Sequence, residues 1–402
     1  MHPDVVVVGA GQSAMALARA LRDLGHAGRI VLVGDEPIAP YERPPLSKQF
    51  LVEVSPPEPV FFTPAEWWIG NGVELRLGDR VARVEARAKR ILLESGATLS
   101  YERLVIATGG SARPAPPAVT LRNVADAKIL SAQLAVSKTL CVMGGGFLGL
   151  EVAASARTRG LGVTVLEVAP RLLERVLPAE LSEWLCELHT RHGTVIHCNA
   201  AVTGFTGSEA GVVIVNAPPF TIRADCLVAA IGMQPNVSLA QEAGLRVQDG
   251  IVVDADCKTS VKDIFAIGDA ACRPNPEDGW PRRVESWQNA EVQGAIAAHA
   301  IMGQPAPPSP VAWFWTEQYG LSIQVFGELG GDELVWRGGP VDPAFTVVAL
   351  RQGRIVGGLG VNAGKDLPPL RQLISMGAAV EARIIRESRS MRDLLNNVRG
   401  RS

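Results

Sequence analysis

The sequence lacks the cysteine spacings that redox and metal sites use. Its six cysteines are scattered, and no two of them form C-x-x-C or C-x-x-x-x-C: Cys141, Cys186, Cys198, Cys226, Cys257 and Cys272. A catalytic dithiol, an iron–sulfur cluster or a zinc site needs closely spaced cysteines. We therefore expect no bound metal, no cysteine pair of the kind that disulfide reductases use, and six buried free thiols.

The chain also lacks a charge imbalance and a long apolar run. Lys and Arg number 39 against 41 Asp and Glu, for a net charge of −2, which gives no bulk attraction to nucleic acid or anionic membranes. No apolar run reaches the ~18 residues that span a bilayer, and the first residues resemble no targeting signal. We expect a soluble, cytoplasmic protein, and the 402 residues suggest two or three domains.

Glycine, by contrast, is placed in a recognisable pattern. Gly144, Gly146 and Gly149 follow an apolar strand and open a helix as G-x-G-x-x-G, a turn that brings a pyrophosphate to a helix N-terminus. The next predicted strand, 161–167, ends in Glu167, near the usual spacing of ~20 residues. A carboxylate there accepts hydrogen bonds from ribose hydroxyls and repels a 2′-phosphate, which favours NADH over NADPH.

A second turn of the same kind begins near the N-terminus. Four valines precede Gly9 and Gly11, and Ala14 stands at the third position, which tolerates alanine. The following strand ends at Asp35. Two such turns predict two dinucleotides, and we expect FAD at the N-terminal turn and NADH at the internal one.

The remaining patterns divide the chain. We predict a discontinuous FAD domain over residues 1–110 and 233–305, an NADH domain over 111–232, and a C-terminal α+β domain over 306–402. Within them we predict a strand over 263–271 that carries Asp269 at its end, a strand over 211–215, and one long helix over 379–397. The proline-rich stretch 40–48 presents Arg43 and Lys48 rigidly, which suits either a cofactor site or a stiff surface loop.

Taken together, these stretches resemble the FAD-dependent NADH:ferredoxin reductases of aromatic-ring dioxygenase and cytochrome P450 systems. The resemblance rests on Tyr41–Lys48, Gly144–Glu151, Ile267–Asp269, Glu285–Ala290 and Ala312–Trp315, and it covers nearly the whole chain. It implies the glutathione-reductase fold, with two Rossmann-like domains and a third, α+β domain. It also implies a [2Fe–2S] ferredoxin partner that docks near the flavin on the side of the C-terminal domain.

The resemblance assigns roles to individual positions. For FAD it implies Gly9, Gly11, Ser13, Ala14, Asp35 (adenosine ribose), Arg43, Lys48 (isoalloxazine edge), Val81 (adenine), Thr108, Gly109, Arg122, Gly268, Asp269 (ribitol) and Trp287 (isoalloxazine). For NADH it implies Phe147, Leu148, Glu151, Glu167, Arg175 and Gly232, beside the glycines of the turn.

The flavin would carry the chemistry, with Lys48, Glu151 and Trp287 as the catalytic residues. Lys48 would stabilise negative charge on the reduced flavin, and Glu151, one turn into the NAD helix, would pair with Lys48. Glu151 is otherwise a first-turn acid that the helix dipole favours. Trp287 and Trp315 are placed either between flavin and surface or in core packing.

We expect the protein to reduce a ferredoxin that feeds an aromatic-ring-hydroxylating dioxygenase. Three alternatives stay open. They are a reductase for a cytochrome P450 ferredoxin or a rubredoxin, an NADH oxidase, and a redox-signalling flavoprotein like apoptosis-inducing factor. The NADH oxidase class would want a redox cysteine in the first FAD segment, which the sequence does not contain.

Overall fold

The computed structural model describes residues 4–53, 57–207, 212–275 and 278–400. Gly211, the first residue of the strand predicted over 211–215, lies outside these ranges, and the described strand there is Val213–Ala217. The helices are α1 Gln12–Asp23, α2 Gln49–Val52, α3 Ala65–Gly70, α4 Val124–Val136, α5 Phe147–Thr158, α6 Ala179–Arg191, α7 Ser238–Glu242, α8 Trp287–Ile301, α9 Leu367–Ser375, α10 Ala382–Glu387 and α11 Met391–Arg399. Short 3-10 turns cover Pro44–Ser47 and Gly268–Ala270.

The strands, in chain order, are β1 Val5–Val8, β2 Ile30–Gly34, β3 Val73–Leu77, β4 Val81–Glu85, β5 Arg90–Leu93, β6 Thr98–Ser100, β7 Arg103–Ile106, β8 Gly110–Ala112, β9 Thr139–Met143, β10 Gly162–Leu166, β11 Thr194–His197, β12 Gly204–Gly207, β13 Val213–Ala217, β14 Phe220–Ala224, β15 Cys226–Ala229, β16 Met233–Pro235, β17 Ile251–Val252, β18 Ile264–Ala266, β19 Ala271–Pro274, β20 Pro281–Arg283, β21 Trp313–Gln318, β22 Leu321–Gly327, β23 Glu333–Arg337, β24 Phe345–Arg351 and β25 Arg354–Val361.

The described residues group into two compact units. The first comprises 1–42, 59–111 and 233–309, and the second comprises 43–58, 112–232 and 310–402. The proline-rich segment from Arg43 therefore packs with the second unit, whose other parts are the predicted NADH domain and the C-terminal domain.

The first unit is built on a parallel sheet in the order β18-β7-β1-β2-β3. All four valines of β1 are buried, with side chains alternating between two apolar clusters, one on each face of the sheet. Covering both faces is what an all-parallel sheet requires. Helix α1 covers one face together with α8, and Gly294 permits the approach, since an added Cβ would lie 2.8 Å from the Ala16 Cβ.

The second unit contains a parallel sheet and an antiparallel one. The parallel sheet runs β11-β10-β9-β15, and the antiparallel sheet of the C-terminal part runs β21-β22-β25-β24-β23. Helix α6 joins them, because Leu181, Trp184 and Leu185 share one apolar cluster with Val347 and Leu359. Helices α9 to α11 pack on the other face of the antiparallel sheet. The mixed α/β architecture matches the predicted fold class.

Two local predictions are wrong. The helix predicted over 379–397 is two helices, α10 and α11, because Ser390 caps a new helix: its hydroxyl accepts the Asp393 N–H at 3.1 Å. The strand predicted over 263–271 ends at Ala266, so Asp269 lies in the following 3-10 turn.

Among the described residues, no helix has both the length and the apolar composition needed to cross a membrane.

The cysteine prediction is correct in part. All six thiols are free, but Cys186 and Cys198 are half-buried rather than buried. Burial raises the pKa of Cys141, Cys226 and Cys257 to about 12. These three thiols therefore stay protonated at neutral pH and are poor nucleophiles.

Candidate functional site

The N-terminal glycine turn has the backbone geometry that its sequence predicts. Gly9 has a φ of +115°, and an added Cβ would lie 2.2 Å from the carbonyl oxygen of Ala107. Gly11 caps α1, and nothing lies within 4 Å of the Cβ position there. Gly9 is thus required by the turn itself, whereas Gly11 leaves open space beside the free N–H groups of a helix start. That open space fits a dinucleotide pyrophosphate.

The first turn of α1 packs against the 3-10 turn that carries Asp269. Ser13 and Ala14 are buried, and an added Cβ at Gly268 would lie 2.7 Å from the Ser13 Oγ. The Gly268 N–H donates to Gln293 Oε1 on α8 at 2.8 Å. The fold therefore brings Gly9, Gly11, Ser13, Ala14, Gly268 and Asp269 together at one end of α1.

The other predicted FAD residues of the first unit are more dispersed. Asp35 is exposed directly after β2, and β2 pairs with β1, the strand that precedes the glycine turn. The Thr108 hydroxyl donates to the Asn236 carbonyl at 2.7 Å, and Gly109 follows with a φ of +62°. Val81 lies in a separate three-stranded sheet, β4-β5-β6. Trp287 is half-buried at the start of α8.

The internal glycine turn repeats this geometry in the second unit. Gly144 has a φ of +106°, and an added Cβ there would lie 2.4 Å from the Ala230 carbonyl oxygen. A Cβ at Gly149 would lie 2.0 Å from the Gly144 carbonyl oxygen. Gly146 caps α5 with nothing within 4 Å of its Cβ position. The first and third glycines are therefore structural, and the second leaves room for a ligand.

Glu167 is fixed beside this turn. Its Oε2 accepts the Gly145 N–H at 2.5 Å, and its Oε1 accepts the Ala169 N–H at 2.7 Å. The carboxylate is thus anchored directly after β10, where the ribose of a dinucleotide is expected. The sequence identified Glu167 but not the two backbone donors that orient it.

Glu151 lies in a buried cluster that the sequence did not predict in full. Its Oε1 pairs with Lys48 Nζ at 3.0 Å and accepts the Thr316 hydroxyl at 2.6 Å. Its Oε2 accepts the Ser47 hydroxyl at 2.5 Å. Glu151, Ser47 and Thr316 are at most 6% exposed. An ammonium and two hydroxyls therefore donate to this buried carboxylate and compensate for its lost contact with water.

Arg43 and Arg122 also meet in the second unit. Arg43 Nη1 donates to the Arg122 carbonyl at 2.8 Å, and the Arg122 N–H donates to Asp126 Oδ2 at 2.8 Å. Asn123 caps α4 by accepting the Asp126 N–H at 2.8 Å. The proline-rich segment is thereby tied to the start of α4.

Of the last NADH candidates, Phe147 and Leu148 begin α5 and Gly232 follows β15, whereas Arg175 lies elsewhere. Phe147 packs edge-on against Phe314 with ring centroids 4.9 Å apart, and Leu148 follows it, half-buried. Gly232 has a φ of +97°, and its carbonyl accepts the Arg113 N–H at 3.0 Å. Arg175 is exposed and lines a separate cavity of about 450 Å³.

Comparisons with known proteins agree with this geometry. The sequence model of the pyridine nucleotide-disulphide oxidoreductase family matches residues 3–294, and that of the reductase C-terminal domain matches residues 313–395. The ferredoxin–NAD(+) reductase component of the anthranilate 1,2-dioxygenase system of Burkholderia cepacia is 41% identical over 382 residues. The match spans 93% of this chain and 94% of that protein.

Two solved structures are similar over almost the whole chain. The ferredoxin reductase for the CYP199A2 system of Rhodopseudomonas palustris has a TM-score of 0.91 and 32% identity, over 98% of this chain and 99% of that one. The putidaredoxin reductase–putidaredoxin covalent complex has the same TM-score and identity, over 99% of each chain.

Proposed function

The chain belongs to the pyridine nucleotide-disulphide oxidoreductase family, as a ferredoxin–NAD(+) reductase with FAD and NADH as cofactors, and from this premise we propose that it supplies electrons to an aromatic-ring-hydroxylating dioxygenase. Its electrons pass from NADH through FAD to a [2Fe–2S] ferredoxin. The proposal draws on the relative that is a component of the anthranilate 1,2-dioxygenase system. The structural observation that supports the two cofactors is the pair of open helix caps, Gly11 and Gly146, each beside a turn that only glycine can form.

The two turns would hold the two cofactors. When bound, FAD accepts a hydride from NADH and releases the electrons singly. The free N–H groups at the starts of α1 and α5 would bind the pyrophosphates, Asp35 and Glu167 the adenosine riboses, and Asp269 the ribitol. Lys48 and Glu151 would hold a fixed charge pair on the NADH side, with the buried hydroxyls of Ser47 and Thr316 donating to the carboxylate.

The remaining site assignments are part of the same proposal. For FAD they are Gly9, Ser13, Ala14, Arg43, Val81, Thr108, Gly109, Arg122, Gly268 and Trp287, and for NADH they are Gly144, Phe147, Leu148, Gly149, Arg175 and Gly232. Chain segments 1–110 and 233–305 would form the FAD domain, 111–232 the NADH domain and 306–402 the C-terminal domain. We place the protein in the cytoplasm, where NADH is regenerated.

The decisive experiment is a panel of purified electron acceptors. NADH should bleach the flavin of the purified protein in anaerobic stopped flow, and a dioxygenase-type [2Fe–2S] ferredoxin should then be reduced. Fast four-electron reduction of O₂ without ferredoxin reduction would instead make it an NADH oxidase. Slow bleaching with a long-lived charge-transfer band would favour a redox-signalling flavoprotein.

A ferredoxin of a cytochrome P450 system is the second candidate acceptor. The likeness to the reductase for the CYP199A2 system favours it. The panel therefore includes P450-type ferredoxins and a rubredoxin. A higher kcat/KM with a P450-type ferredoxin than with any dioxygenase-type ferredoxin would decide for the P450 system, and a higher value with the rubredoxin would decide for a rubredoxin reductase.

A further inference from the structure

A line of buried polar side chains continues from Glu151 through the second unit, to which Glu151 itself belongs. The Thr316 hydroxyl on β21 donates to Glu151 Oε1 at 2.6 Å, and Gln318 Nε2 on the same strand donates to Thr316 Oγ1 at 3.0 Å. Thr316 is 1% exposed and Gln318 is 2% exposed. Residues two apart on a strand point to the same face, so β21 presents both side chains to α5 and α6.

The line then crosses to α6 and β11. His189 Nε2 lies 2.6 Å from Gln318 Oε1, and the Tyr319 hydroxyl lies 3.1 Å from His189 Nδ1. The Thr194 hydroxyl lies 3.1 Å from the Tyr319 hydroxyl. His189 is fully buried, and the ring of His192 stacks on Tyr319 with centroids 3.8 Å apart.

The Glu151 carboxylate, paired with Lys48, fixes the direction of every hydrogen bond in this line. Glu151 can only accept, so Thr316 donates to it and uses its oxygen to accept the Gln318 N–H. Gln318 Oε1 must then accept, which places the proton of neutral His189 on Nε2 and leaves Nδ1 to accept from Tyr319. Hydrogen bonds aligned in this way polarise one another. Burial lowers the pKa of His189 to about 4, which keeps the ring neutral at physiological pH.

We propose that Gln318 and His189 are positioning residues for the reductase reaction: through the Thr316 hydroxyl they fix the Glu151 carboxylate and its ion pair with Lys48. The proposal rests on the role proposed above for that pair. Ser47 holds only Oε2 of Glu151, so Oε1 is shared between Lys48 and Thr316. If Thr316 turns away, the carboxylate rotates toward Lys48 alone, and the charge pair loses its fixed placement.

The kinetic test uses the FAD-loaded enzyme and anaerobic stopped flow at saturating NADH. Thr316→Val should slow flavin reduction about tenfold or more, the size of one lost hydrogen bond to a charged group. Gln318→Met removes the neutral hydrogen bond that holds Thr316 and should slow flavin reduction by a smaller factor. Thr316→Ser keeps the hydroxyl and should restore the rate. Thr346→Val is the matched control, since Thr346 is also 1% exposed and belongs to the same antiparallel sheet, but lies outside the line. FAD content and Tm are measured for every variant.

Nitrogen-15 NMR of the histidine side chains gives a readout that does not depend on activity. His189, identified by comparison with His189→Gln, should be the neutral Nε2–H tautomer. If NADH reduces the flavin of Thr316→Val and Gln318→Met as fast as that of the wild type, the proposal is wrong. An Nδ1–H tautomer or a charged His189 ring at neutral pH would also overturn it. If NADH fails to reduce the wild-type flavin at all, the proposed function fails instead.

Discussion

The backbone N–H of Gly145 donates a 2.5 Å hydrogen bond to Glu167 Oε2, so the glycine turn and the acid that ends the next strand are joined directly. The second oxygen is held by the Ala169 N–H at 2.7 Å. Each carboxylate oxygen has two acceptor positions, so one on each oxygen remains for a ribose hydroxyl. The contact that joins the acid to the turn therefore leaves both carboxylate oxygens able to accept from the ribose hydroxyls proposed above.

The first prediction concerns coenzyme choice. Glu167→Ala removes the acceptor for the ribose hydroxyls and the charge that repels a 2′-phosphate, so kcat/KM for NADH should fall about tenfold or more while that for NADPH rises. A basic replacement should move the ratio further. Glu183→Ala, which removes an exposed acid on α6, should leave the NADH-to-NADPH ratio unchanged. An unaltered ratio in the Glu167 variant would remove this residue from the ribose site.

A second prediction separates charge placement from stability at the buried pair. Lys48→Met leaves Glu151 with two hydroxyl donors but no counter-charge, which should cost about 2–3 kcal/mol of unfolding free energy and slow flavin reduction strongly. The double variant Lys48→Met/Glu151→Gln removes both charges, so it should regain most of the stability without regaining the rate. Parallel loss of FAD content and rate in Lys48→Met would identify Lys48 as structural.

The third prediction compares two glycines of one turn. Gly149→Ala places a Cβ 2.0 Å from the Gly144 carbonyl, which should destabilise the protein by about 1–3 kcal/mol as overpacking. Gly146→Ala meets nothing within 4 Å, so its Tm should stay close to wild type while KM for NADH rises. Thermal unfolding and steady-state kinetics on both variants check this. Equal losses of stability would mean that Gly146 is not reserved for a ligand.

Local patterns predicted the parts of the site that are local in the chain. Both glycine turns, Glu167 and the flanking buried strands follow from spacings within about 30 residues, the length of one βαβ unit. The Ser390–Asp393 cap also follows a local pattern, a serine three residues before an acid. Because that pattern was not used, one helix was predicted where the structure has two. These features need no knowledge of distant contacts.

Long-range partners could not be predicted in the same way. Ser47 and Thr316 meet Glu151 across 104 and 165 residues, and neither belongs to a motif with it. No motif in the sequence marks His189 as part of a functional site. Only the packing of α6 against β21 shows that it continues a polar line from Glu151.

The last prediction is the pH dependence that His189 gives to stability. Burial lowers its pKa from 6.5 to about 4, against the rise that the Gln318 hydrogen bond causes, and the neighbouring His192 lowers it further. Between these values the unfolded chain binds more protons than the native one, so unfolding free energy falls as pH drops from about 6.5 to about 4. The loss from this group approaches about 3 kcal/mol at the acid end.

In His189→Gln, which cannot titrate, Tm should fall less steeply across this range. His197→Gln removes a half-buried histidine outside the line and should keep the wild-type slope. Equal slopes for wild type and His189→Gln would mean that the native ring takes up its proton at the same pH as the unfolded chain, and a protonated ring has no free Nδ1 to accept from Tyr319.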